Sequence, residues 1–104
     1  MTAKLKVIVY EPGVARGELR EIDDTLEALQ SVVGGYIEHV GILGGLAVVV
    51  NEEGRLMGLP PNRRGFVGPF FVARVAGEEY VSITDADERV ARTIFDAFKE
   101  GGAS

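Results

Sequence analysis

The stretch Leu46-Ala47-Val48-Val49-Val50-Asn51-Glu52-Glu53-Gly54 decides how the rest of the chain is read. Its first five residues are all apolar and leave no polar face. A strand built from them must be covered on both sides, so its place is central in the sheet. Asn51-Glu52-Glu53-Gly54 then has the composition of a tight turn, with Asn able to bond its own backbone and Gly free to take positive φ. Arg55-Leu56-Met57 would return as the second arm of a hairpin.

Upstream, Lys4–Tyr10 alternates and then runs apolar (Leu5, Val7, Ile8, Val9, Tyr10), a largely buried strand closed by the Pro12-Gly13 turn. Leu19–Ile22 alternates again and suits an antiparallel partner. Asp24, with Glu27 three residues on, has capping-box spacing. Leu26, Leu29 and Val33 then share one helical face, and Gly34-Gly35 ends the helix. Tyr36–Leu43 reads as a further strand.

Downstream, Leu59-Pro60-Pro61-Asn62-Arg63-Arg64-Gly65 cannot continue a ladder, because its prolines remove donors, so it forms a stiff loop. Phe66–Val75 and Glu79–Ile83 pair around Ala76-Gly77-Glu78. The clearest helix is the last: Thr84 and Asp87 cap it, and Glu88 and Arg92 are spaced for an ion pair. Ala86, Val90, Ala91, Ile94, Phe95 and Phe98 form its apolar stripe, and Gly101-Gly102 stops it. The spacing predicts helices over Asp24–Val33 and Thr84–Lys99.

The fold class is therefore α+β: a mainly antiparallel sheet packed with two helices on one face, in the order β-β-α-β-β-β-β-α. Phe70 and Phe71 are neighbours on a strand and point to opposite faces. One ring then faces away from the helices, unless both faces are covered. A homodimer burying the open face is the economical solution.

A chain of 104 residues builds one compact domain, 1–104, whose last few residues are expected to be disordered. The apolar and charged fractions, 46% and 26%, exclude disorder over any large part of it. The absence of cysteine removes disulfides, thiolate chemistry and cysteine metal sites, and fits a cytoplasmic location. The apolar run near the N-terminus is too short for a secretory leader, and no run approaches the roughly 20 residues of a membrane span. A net charge of −5 speaks against broad nucleic-acid binding, which needs a positive surface.

Charge is uneven along the chain. From Arg55 to Gly77 the sequence holds Arg55, Arg63, Arg64 and Arg74 and no acid. Arg63 and Arg64 stand on the Pro-Pro loop, where a guanidinium fork loses less entropy on binding an anion. Asn62 beside them adds an amide. With Asn51 and Glu52 from the hairpin turn, these residues make the candidate ligand site for an anionic small molecule or a protein partner. The bland alternative is that Arg63 or Arg64 pairs with Glu52 or Glu53 and fastens the loop. An enzymatic reading would use Glu52 or Glu53 as a base and Arg63 as an anion clamp, and requires one glutamate to be buried. His39, the only histidine, reads as an exposed strand residue. No catalytic residue, metal set or cofactor site is assigned.

Taken together, Arg20-Glu21-Ile22-Asp23, Thr25–Gln30, Val33-Gly34-Gly35-Tyr36-Ile37-Glu38, Asn51-Glu52-Glu53-Gly54, Leu59–Arg64 and Val67-Gly68-Pro69-Phe70-Phe71-Val72 resemble the domain-of-unknown-function family 3846 (DUF3846) over nearly the whole chain. The resemblance implies a compact intracellular domain with an accessory role in phages, plasmids or other mobile elements. It carries over no activity. The family's Asn-Glu-x-Gly and Asn-Arg elements correspond here to Asn51, Glu52, Gly54, Asn62 and Arg63.

Overall fold

The computed structural model describes residues 3–96. Its elements are β1 (Lys4–Tyr10), β2 (Glu18–Asp23), α1 (Leu26–Val33), β3 (Ile37–Gly41), β4 (Leu46–Asn51), β5 (Phe70–Ala76), β6 (Glu79–Val81) and α2 (Asp85–Phe95), with short 3-10 turns at Leu43–Gly45 and Arg63–Gly65. The class and the order of elements are those expected. Every strand pairing is antiparallel, and the sheet runs β2-β1-β5-β4-β3. Val72 pairs with Ile8 on one side and Val48 on the other, while Arg74 pairs with Leu46 and Val81. Strands β1 and β6 therefore share one edge of β5.

The all-apolar stretch is β4, with all six residues buried. It lies second from the edge, between β5 and β3. Burial of both its faces requires helices on both faces of the sheet. Ile8, Tyr10, Val48, Phe70 and Val72 pack with Ala91 and Phe95 of α2. Val7, Val9, Val49, Phe71 and Ala73 pack with Leu29 and Val33 of α1. The expectation of two helices on one face is corrected: they cover opposite faces. Phe70 and Phe71 do point opposite ways, and each is fully buried by its own helix. The exposed aromatic that called for a homodimer does not exist.

Local details also differ. Thr25, not Asp24, caps α1, accepting from the Ala28 N–H, and Gly34 ends the helix in the left-handed region at φ 82°. Leu26 is 57% exposed and lies outside the buried face. Residues 52–58 are a run of turns, so Arg55–Met57 is not a strand. The Leu59 N–H is taken by the Gly54 carbonyl, and the positive φ falls on Gly58 rather than Gly54. Gly54 is needed for another reason: a Cβ there would stand 2.9 Å from the Val67 side chain. At α2 the Thr84–Asp87 capping box and the Arg92–Glu88 pair form as expected. The expected Phe98 contact, the expected Gly101-Gly102 stop and the expectation about the last few residues fall outside the described residues.

Candidate functional site

The Pro-Pro loop closes on itself before it reaches anything else. Pro61 bridges Val67, the Gly68 N–H donates to the Pro60 carbonyl at 2.7 Å, and the Asn62 N–H donates to Phe66 at 2.8 Å. The Asn62 amide then ties the loop to the core. Its Nδ2 donates to the carbonyls of Tyr10 and Gly68, at 3.0 and 2.8 Å. Its Oδ1 accepts from the Arg63 backbone N–H and from Arg63 Nη1.

Held this way, the Arg63 guanidinium lies 4.8 Å from the Tyr10 ring centroid. Nη2 of Arg63 donates to the carbonyls of Val14 and Ala15. Arg64, at φ 60°, donates to the Ile94 carbonyl of α2. Arg55 donates to Gly65 O, and Arg74 grips Asp87 with two bonds of 2.8 and 2.6 Å. The four arginines of the acid-free segment thus do not converge: Arg64 and Arg74 reach opposite ends of α2, Arg55 a loop carbonyl, and Arg63 the carbonyls of Val14 and Ala15. Arg63 is held by the Asn62 amide oxygen, two backbone carbonyls and a ring, where the fastening alternative pairs Arg63 or Arg64 with Glu52 or Glu53.

Beneath Arg63, the buried Tyr10 belongs to a partly buried polar knot. Its hydroxyl donates to Asp96 Oδ1 at 2.8 Å, which also accepts from the Gly17 N–H, and Arg92 donates to Asp96 Oδ2 at 2.9 Å. Burial raises the Tyr10 phenol well above its ordinary value, and the Asp96 carboxylate raises it further. For Asp96, burial pushes upward, but the Gly17 N–H, the Tyr10 hydroxyl and Arg92 outweigh it, so its carboxyl sits below the ordinary value.

Asn51 is equally committed. It is 4% exposed, its Nδ2 donates to the Val33 carbonyl at the end of α1, and its Oδ1 accepts from the Glu53 N–H, which forms the turn. Gly35 must lack a side chain here, since a Cβ would stand 2.8 Å from Asn51 Nδ2. Beyond Asn51 opens a cleft of about 310 Å³ between β3, the 52–58 turns and Gly65–Val67. Its lining includes Glu38, Val40, Asn51, Glu52, Arg55, Leu56 and Phe66. The structure thus brings Asn51 and Glu52 to one cleft. Asn62, Arg63 and Arg64 do not line it. Glu52 and Glu53 are both exposed, so neither has the burial that a base role calls for. Among the described residues no group of three His, Asp or Glu side chains could hold a metal.

The side of β3 away from β4 is the second feature of this region. Antiparallel pairs alternate between bonded and non-bonded. The Glu52 N–H donates to Tyr36 O and the Ile42 N–H to Leu46 O. In the same register, Glu38–Val50 and Val40–Val48 are the bonded pairs between them. Ile37, His39 and Gly41 therefore direct their backbone N–H and C=O groups outward, where no described strand lies. Glu38, His39, Val40 and Gly41 are all exposed, and nothing lies within 4 Å of where a Gly41 Cβ would stand. Tyr36, Leu43, Leu56 and Met57 are exposed large apolar side chains in the segments flanking this strand and its neighbouring turn. The opposite edge, β2, is guarded by Glu18, Arg20, Glu21 and Asp23.

His39 is exposed, as expected, and its Nδ1 lies 3.2 Å from the Tyr80 hydroxyl. The pattern of residues 36–43 marks a strand, and nothing in it marks a site. Edge position depends on strand order, and no residue of the segment encodes that.

No described helix is long and apolar enough to cross a membrane. Comparison with curated proteins and with solved structures finds no match. The family model described as Domain of unknown function (DUF3846) matches residues 5–99, nearly the whole chain. The chain belongs to this family.

Proposed function

We propose that this protein is a binding protein that captures an extended segment of a partner protein along β3, beside the Asn51–Arg64 region. The observation that carries this reading is the open strand edge adjoining a cleft with both polar and apolar walls. An extended chain laid antiparallel to β3 would meet the outward backbone groups of Ile37, His39 and Gly41. Alternate side chains of that chain would fall on the cleft side, near Val40, Leu56 and Phe66. Strand addition of this kind draws affinity from main-chain hydrogen bonds and specificity from pockets for every second side chain. Such an accessory role suits the mobile-element setting that the family resemblance implies. The alternative of anion capture by Asn62, Arg63 and Arg64 has the acid-free segment as its support, but the contacts of Asn62 and Arg63 favour a structural role.

The test is a selection from a displayed random-peptide library, with the winners re-measured on His39→Ala and His39→Pro. Proline at this position removes an outward N–H and leaves the bonds to β4 in place. Peptides that bind wild type and His39→Ala but not a still-folded His39→Pro support the reading. Binders indifferent to His39→Pro refute it, and binders that are acidic and need Arg63 would establish the anion site instead.

A further inference from the structure

We infer that the segment received along β3 is basic, carrying lysine or arginine at alternate positions, and comes from a different protein rather than from a second copy of this chain. The inference rests on the strand-addition reading above and adds the partner's chemistry. On one side of β3, Glu38 and Glu52 line the cleft with a single guanidinium, Arg55. That guanidinium already donates to the Gly65 carbonyl. On the other side, a second hollow of about 380 Å³ runs from His39 to Glu78, Glu79 and Tyr80. Because side chains of an added strand alternate between the two faces, a cation on either face meets carboxylates. Lysine and arginine stems would lie on the apolar parts of the walls while their charged ends reach the glutamates.

Self-pairing is disfavoured by the same charges. Each copy carries a net charge of −5. The register that pairs all five β3 residues of two copies sets His39 against His39 and brings both acidic clefts to one seam. Shifting it to centre on Glu38 opposes like charges directly, which destabilises a strand pair.

The experiment titrates labelled peptides of about ten residues, long enough to span β3, into the intact chain. One alternates lysine with valine, one serine with valine, and one glutamate with valine. Wild type should bind the lysine peptide about tenfold or more tightly than the serine peptide, with the advantage shrinking as salt rises from about 0.05 to about 0.5 M. The combined substitution Glu38→Gln, Glu52→Gln, Glu78→Gln and Glu79→Gln, which neutralises the carboxylates of both faces, should erase most of that advantage while leaving the serine peptide unaffected. His39→Pro should weaken all peptides alike.

Equal binding of the three peptides, all sensitive to His39→Pro, overturns the charge inference and keeps the strand-edge reading. Charge-dependent binding indifferent to His39→Pro overturns both. Absence of binding, or a dimer by sedimentation that His39→Pro dissociates, overturns the inference of a basic partner.

Discussion

The guanidinium of Arg63 lies over the ring of Tyr10, 4.8 Å from its centroid, while the hydroxyl at the far end of that ring donates to Asp96. One tyrosine thereby connects the Pro-Pro loop to the end of α2, and Arg63 closes the connection by donating to Val14 and Ala15. Arg63→Ala removes a cation–π contact and at least two hydrogen bonds to carbonyls. It should lower stability by about 1–2 kcal/mol in chemical denaturation. Lysine at this position keeps the charge but loses the fork, and should recover only part of the loss. An unchanged midpoint in both variants would mean the arginine is not a fastener.

Gly17 packs its backbone against that same ring. A Cβ there would stand 2.5 Å from Tyr10 Cζ and 2.5 Å from Ile8 Cγ2, both fully buried. Gly17→Ala should therefore cost about 1–3 kcal/mol through overpacking. If thermal melting shows no loss, the loop has room that this packing denies.

Phe95 is 1% exposed and its ring lies 5.3 Å from that of Tyr10 and 5.2 Å from that of Phe70. Phe95→Ala should destabilise by about 3–5 kcal/mol. A shift of less than about 1 kcal/mol would contradict the burial.

Acid should act in part through Asp87. The two bonds from Arg74, helped by those from Thr84 and opposed by burial, hold its carboxyl at about 2, down from 3.8. A depressed carboxylate contributes stability above its unfolded value and loses it as pH falls through the folded one. The contribution is thus complete above about pH 4 and disappears toward pH 2. Denaturation midpoints of wild type should fall over that window more steeply than those of Asp87→Asn, and the two should converge at the acid end. Parallel curves would remove Asp87 from the account.

With Phe70 and Phe71 both buried inside one chain, the outward ring that gave a second copy a sheet face to cover is gone. Sedimentation at micromolar concentration should give a monomer. A dimer that persists in His39→Pro would point to a surface other than β3.

Much of the architecture follows from local pattern. The five apolar residues Leu46–Val50 had to be an interior strand, and Thr84 with Asp87 had to start a helix, because burial demand and backbone capping are written in neighbouring residues. The same local logic fixed the Asn51 turn, in which one amide serves the Glu53 N–H two residues on. What failed was reach. Helix positions relative to the sheet depend on which face of β5 each helix meets, and the pattern of Phe70 and Phe71 allowed either outcome. The fates of Asn62 and Arg63 were equally open, because their partners at Tyr10, Val14 and Ala15 lie about fifty residues away and are backbone carbonyls, which any sequence supplies. The open edge of β3 is the extreme case. Its residues read as an ordinary strand, and only the order β2-β1-β5-β4-β3 leaves their outward hydrogen-bonding groups without a strand beside them. Hydrophobic pattern, being local, determined which segments are strands and helices; the closure of distant segments decided which of their surfaces remain free to bind.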